Sequence, residues 1–396
     1  MSNSDMPKND IPYISKIMFA FMKSALSGKK ISDEILQSID DETLKKVYNL
    51  SKKQDVVHIV GHALDKNNIA CSDEVAKAYK NQVFAAICRV ERTDYEFKAI
   101  CNALSEKEIP YLPLKGSVIR GYYPDEWMRT SCDIDILIHE KDVEKATEIL
   151  TENLGYENPE KHYHDVAMTS QSGVNIELHF SLSEGNEKMD SVLCDVWDYA
   201  TPCENDLCRY SVNNEFFMFY LMAHTAYHFL NGGCGVRPFM DLWILKQNLS
   251  VDEDKYQSLL EKGKLSAFAK SADELAEFWF GKSDGNDVIF KMQEFILKAG
   301  VFGDFDNLVA VNQAKKGGNA KYVLSRIWLS FESLKANYPS IENRKILIPF
   351  YQVKRWFSLL LGGKNSKGLK ELNVSKSIDK STMESTAFLL EHLELL

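Results

Sequence analysis

Two aspartates separated by one residue stand in the run Asp133-Ile134-Asp135-Ile136-Leu137-Ile138. The run alternates polar and apolar residues at its start and is rich in β-branched types, which predicts a strand. Strand side chains alternate between faces, so both carboxylates share one face and Ile134, Ile136 and Ile138 the other. Adjacent carboxylates repel, and keeping both ionised calls for a cation. Mg²⁺ suits them, because it is a hard ion that takes one or two carboxylates together with substrate phosphates. A second run, Asn175-Ile176-Glu177-Leu178-His179-Phe180, alternates in the same way and carries Glu177 on its polar face. Paired in register beside the first, it adds a third carboxylate and makes a two-metal site. The bland alternative is a pair of strands whose acids only face water, and alternation by itself does not separate the two.

A third element precedes the aspartates. Tyr111-Leu112-Pro113-Leu114 is short and apolar and ends in Lys115-Gly116-Ser117, which predicts a strand entering a tight turn. Such a turn offers backbone N–H groups and a hydroxyl to an anion, and glycine lets the backbone approach a phosphate closely. Lys115, Arg120 and Arg129 are nearby cations suited to a triphosphate.

The elements that must hold these residues follow from texture. Residues 1–108 read as helical, with a long apolar stripe from Val83 to Leu104. Residues 109–208 read as an α/β island: the strands above, a helix over 141–154 stopped by Gly155, and a hairpin over 166–180 turning at Ser170–Gly173. Residues 209–396 return to helix, beginning with Phe216–Phe229 and a second helix at Pro238 with Asp241 in its first turn. The fold class predicted is α+β: a small mixed sheet flanked by N- and C-terminal helical regions.

Composition narrows the classes. The 396 residues are 45% hydrophobic and 26% charged, ordinary for a globular chain, and the net charge of −10 disfavours a protein that coats nucleic acid. Eight scattered cysteines without a CxxC read as reduced, mostly buried thiols in a cytoplasm. No signal peptide is evident, and the most apolar stretch, Phe216–Leu230, is too short and too polar to span a bilayer.

Together these motifs resemble the nucleotidyltransferase superfamily to which DNA polymerase beta belongs: a Gly-Ser turn, a 15-residue gap, Asp-apolar-Asp-apolar, and a carboxylate on a later strand. More closely, the stretch is similar to a bacterial family of uncharacterised nucleotidyltransferases. Leu114, Lys115, Gly116, Tyr123, Pro124, Arg129, Asp133, Asp135, Leu154, Gly155, Tyr156, Glu177 and His179 carry the match. A weaker echo runs through His224, His228, Gly233, Arg237 and Asp241. Lys115 stands where the superfamily usually has an apolar residue, and Glu177 where relatives often have Asp.

The resemblance implies transfer of a nucleoside monophosphate from an NTP to an acceptor hydroxyl, with release of pyrophosphate. Asp133, Asp135 and Glu177 would hold one or two Mg²⁺ ions, with Glu177 completing a metal shell or taking the acceptor proton. Lys115, Gly116, Ser117 and Arg129 would bind the phosphates. The acidic chain favours a small molecule or protein over RNA as acceptor. The alternatives are a DxD-type glycosyltransferase using a nucleotide sugar and an inactive nucleotide-binding protein.

Other residues carry weaker signals. His224 and His228 have the i, i+4 spacing of zinc ligands, but no Glu follows His224 and no third ligand is evident, so helix packing or a substrate-pocket wall is favoured. Arg237 is expected to pair with Asp241 or face the nucleotide, and Asp241 to favour its helix N-terminus. Tyr122 and Trp127 are read as base-stacking or loop-packing residues. Lys354–Lys380, with seven basic and two acidic residues, reads as a solvated face.

Overall fold

A computed structural model of the chain describes residues 10–301, 303–342, 344–361 and 367–396. Its centre is a seven-stranded mixed sheet: β1 (Tyr111–Pro113), β2 (Asp133–Ile138), β3 (Glu157–Lys161), β4 (Asp165–Thr169), β5 (Asn175–His179), β6 (Ala200–Cys203) and β7 (Asp206–Val212), in the order β3-β4-β5-β2-β1-β7-β6. β2 and β5 run parallel at the centre, and β1 joins β2 antiparallel. The fold is α+β, as expected.

Four of the strands are those predicted. β3 was not, because all five of its residues are exposed and polar or Pro, leaving no alternation to detect. β6 and β7 were also missed. They form an antiparallel pair, and β7 docks on β1 through Tyr111 and Arg209.

The two faces of the sheet enter different cores. Ile134, Ile136, Ile138, Ile176 and Leu178 are fully buried against Ile100 and Leu104 of the helix Asp73–Glu106 and Ala146 and Leu150 of the helix Val143–Leu154. Gly155 ends the latter with φ 68°, a left-handed position that glycine adopts without strain. On the other side, Leu112, Leu114 and Leu137 join a large helical core. There Phe19, from the helix Ile11–Ser27, stacks on Trp279 at 4.4 Å between centroids. Helices from both ends of the chain thus close over one sheet face. At roughly 1.5–3 kcal/mol for each buried large apolar side chain, this packing rather than helix propensity holds the helices in place.

All eight cysteines are free. The expectation of mostly buried thiols does not hold: Cys101 and Cys234 are buried, while Cys88, Cys132 and Cys194 are exposed. The basic stretch Lys354–Lys380 lies partly outside the described residues; its described parts are the helix Ile348–Leu361 and the helix Lys367–Ser377. No helix among the described residues is long and apolar enough to cross a membrane.

Candidate active site

β2 and β5 pair with Asp135 directly opposite Glu177 and Asp133 opposite Asn175. This register puts the three carboxylates on one face of the sheet, lining a cavity of about 350 Å³. The opposite face is filled by isoleucines, so a one-residue slip would drive carboxylates into the core.

Asp135 is 4% exposed, and its Oδ1 accepts from Lys115 Nζ at 2.8 Å and from His179 Nε2 at 2.9 Å. Burial alone would push its carboxyl up; Lys115 and His179 outweigh burial and hold it far below the usual range. Burial opposes charge on His179 too, but its contacts with Asp135 and Glu177 raise it to about 9, so it is a cation at neutral pH.

Asp133 is placed differently. Its carboxylate makes no hydrogen bond or ion pair among the described residues. Burial, then repulsion from Asp135 and Glu177, raise it from 3.8 to about 6. Asp135, Glu177 and His179 also offer ligand atoms within 4.8 Å of one another. The unpartnered Asp133 carboxylate marks the place where this face is short of positive charge. Three hard oxygen donors beside that deficit fit Mg²⁺.

The turn after β1 forms as read: Lys115 leads into a short helix, Gly116–Ile119. Lys115 has φ 41° and ψ −119°, a conformation that non-glycine residues rarely adopt, held here by the Nζ contact with Asp135. A Cβ on Gly116 would meet Ser131 Cβ at 3.1 Å, so glycine permits this close approach. Lys115 and Gly116 line the cavity. Ser117 is not among the lining residues, and its buried hydroxyl has no hydrogen-bond partner.

Besides Lys115, which Asp135 holds, the other two cations expected near the phosphates are also engaged. Arg129 donates from Nε to Asp241 Oδ1 at 2.6 Å and from Nη2 to Asp241 Oδ2 at 2.8 Å, a buried bidentate pair. Arg120 is buried and donates to Gly116 O and Ser131 Oγ, bracing the turn from behind. Arg129 still lines the cavity while it holds Asp241, whereas Arg120 is not among the lining residues; a buried guanidinium is held where its donors are satisfied.

Asp241 is likewise not a helix-terminus acid. It lies past the first turn of the helix Arg237–Asn248 and also accepts from Tyr123 Oη at 2.6 Å. Arg237 pairs with Asp55, not Asp241. Trp127 packs edge-on against His58 and His62, a loop-packing role.

His224 and His228 lie on the helix Asn214–Leu230 and face the same cavity. Glu184, from the loop after β5, reaches His224 Nδ1 at 2.7 Å. Glu184 carries no local sequence signal, because it lies 40 residues from its partner. His179 did carry one: it stands two residues after Glu177 on the same strand face.

No curated protein and no solved structure matches the chain. The model of one family, described as uncharacterised nucleotidyltransferase, matches residues 40–281, more than half of the chain. The match contains the whole sheet, the carboxylate cluster and the helices that carry His224, His228 and Asp241. With a Gly turn, paired aspartates and a third carboxylate gathered on one sheet face inside that match, the chain belongs to this nucleotidyltransferase family.

Proposed function

We propose that the protein transfers a nucleoside monophosphate from an NTP to an acceptor hydroxyl in a Mg²⁺-dependent reaction. The observation that carries this is the charge balance of the cavity. Arg129 and Arg237 are each committed to a carboxylate, and Lys115 is bound to Asp135. Asp133 has no hydrogen-bond or ion-pair partner among the described residues, and burial with the neighbouring carboxylates outweighs the pull of Lys115 and Arg237 on it. A triphosphate entering such a cavity needs cations that arrive with it.

Asp133, Asp135 and Glu177 would hold the ion. Bound there, Mg²⁺ supplies neutralisation of the phosphates and a lowered pKa for the attacking hydroxyl. Lys115 and the backbone at Gly116 orient the phosphates. The acceptor oxygen bonds to the α-phosphorus, the bond from that phosphorus to the bridging oxygen breaks, and pyrophosphate leaves. The acceptor proton passes to Glu177, whose side chain is 36% exposed and reachable. A small molecule or protein acceptor suits a cavity with more acids than free cations better than an RNA backbone does.

The test is calorimetry of each of the four NTPs, with and without Mg²⁺, on wild type and on Asp133→Ala/Asp135→Ala. Binding that requires Mg²⁺ and is lost in the double variant supports the proposal. A folded wild type that binds none of the four overturns it.

A further inference from the structure

We propose that His224 and His228 form a second metal site, separate from the carboxylate cluster, that takes a borderline divalent ion of the Zn²⁺ or Co²⁺ class. The two Nε2 atoms face each other at 3.1 Å. Two nitrogens bound to one tetrahedral ion at about 2.0–2.1 Å stand about 3.3 Å apart, so the pair is already spaced for it. Their i, i+4 separation on one helix is the spacing that puts two imidazoles on a shared face.

The surroundings fit this role in two ways. Glu184 Oε1 lies 2.7 Å from His224 Nδ1, and the Glu184 side chain is 12% exposed. A carboxylate on Nδ1 fixes the tautomer that leaves Nε2 with a lone pair, and metal-bound histidines characteristically have such a partner. Imidazole selects ions of this class, whereas the carboxylate face suits Mg²⁺.

Without an ion the 3.1 Å contact is satisfied by His228 donating Nε2–H to His224 Nε2. With an ion, His228 carries its proton on Nδ1 instead. The remaining coordination positions open onto the cavity that also holds Lys115 and Glu177. They would be filled by water or by an oxygen or nitrogen of a small molecule bound there. The site does not depend on the transfer reaction proposed above.

The test uses full-length, metal-stripped protein carrying Asp133→Asn/Asp135→Asn, which removes the competing carboxylate pair. Zn²⁺ is titrated by calorimetry and Co²⁺ by visible absorption. One Zn²⁺ is expected, with a Co²⁺ spectrum of low coordination number. Adding His228→Ala should abolish this binding, and adding Glu184→Gln should weaken it about tenfold. Circular dichroism and a melting curve establish that each variant is folded; His228 is exposed, so its loss leaves the core intact. Failure of the parent variant to bind Zn²⁺ overturns the proposal. So does binding that survives His228→Ala, as it would if the ion sat instead on His164, Asp165 and His179, which also cluster. Mg²⁺–ATP binding by wild type is read separately and bears only on the transfer reaction.

Discussion

Asp133→Asn should make the metal-free protein more stable at neutral pH, although it removes a residue central to the proposed chemistry. Burial and the neighbouring carboxylates raise Asp133 from 3.8 to about 6. At about 1.36 kcal/mol per pK, the rise is worth roughly 3 kcal/mol, and screening through the open cavity reduces this to about 2 kcal/mol. The sign follows from linkage. Between 3.8 and about 6 the folded state holds a proton that the unfolded state has lost, so stability falls as pH rises through that window. The full cost is present above pH 7 and disappears below pH 3.8. With an unfolding entropy near 2.1 cal/mol/K per residue, about 2 kcal/mol corresponds to a midpoint rise of about 2–3 °C. The assay is thermal melting of wild type and Asp133→Asn in EDTA at pH 8 and pH 5. Mg²⁺ should raise the wild-type midpoint more at pH 8 than at pH 5 and leave the variant nearly unmoved. An unchanged or lower midpoint for Asp133→Asn at pH 8 would refute the charge-deficit argument on which the metal assignment rests.

Arg129→Ala should cost about 3–5 kcal/mol, measured by urea denaturation, because it leaves Asp241 buried without its cation; Arg129→Ala/Asp241→Ala should recover part of that loss. His58 is buried and contacts Met128 O at 3.0 Å; burial lowers it to about 4. The unfolded chain takes up a proton near 6.5 that the folded chain refuses, so stability should fall by up to about 3 kcal/mol as pH drops from 6.5 to 4, and His58→Asn should flatten that part of the urea-midpoint profile. Gly116→Val should weaken Mg²⁺–ATP binding in calorimetry by distorting the turn against Ser131, and unaltered affinity would remove that turn from the phosphate site.

Much of the site was legible because its signals are local. Asp133 and Asp135 share a face by strand periodicity alone, and Ile134 and Ile136 declare the buried side. Glu177 needed only the added assumption that two alternating strands pair in register, which β2 and β5 do. The hairpin at Ser170–Gly173 and the stop at Gly155 were readable because turn chemistry is written in single residues. β3 escaped notice because an edge strand exposed on every residue has no alternating pattern.

What the sequence by itself determined is the carboxylate face: alternation, β-branching and a glycine turn act over a few residues, and their geometry is dictated by the backbone. Which cations serve that face was decided only by tertiary structure. Arg129 and Arg120 read alike in sequence, but only the fold shows that Arg129 lines the cavity and is held by Asp241, 112 residues away, while Arg120 braces the turn. Glu184 reaches His224 across 40 residues, and Asp55 reaches Arg237 across 182. Charged side chains buried by packing must take whichever partners the fold brings within about 3 Å, and no local pattern records that choice.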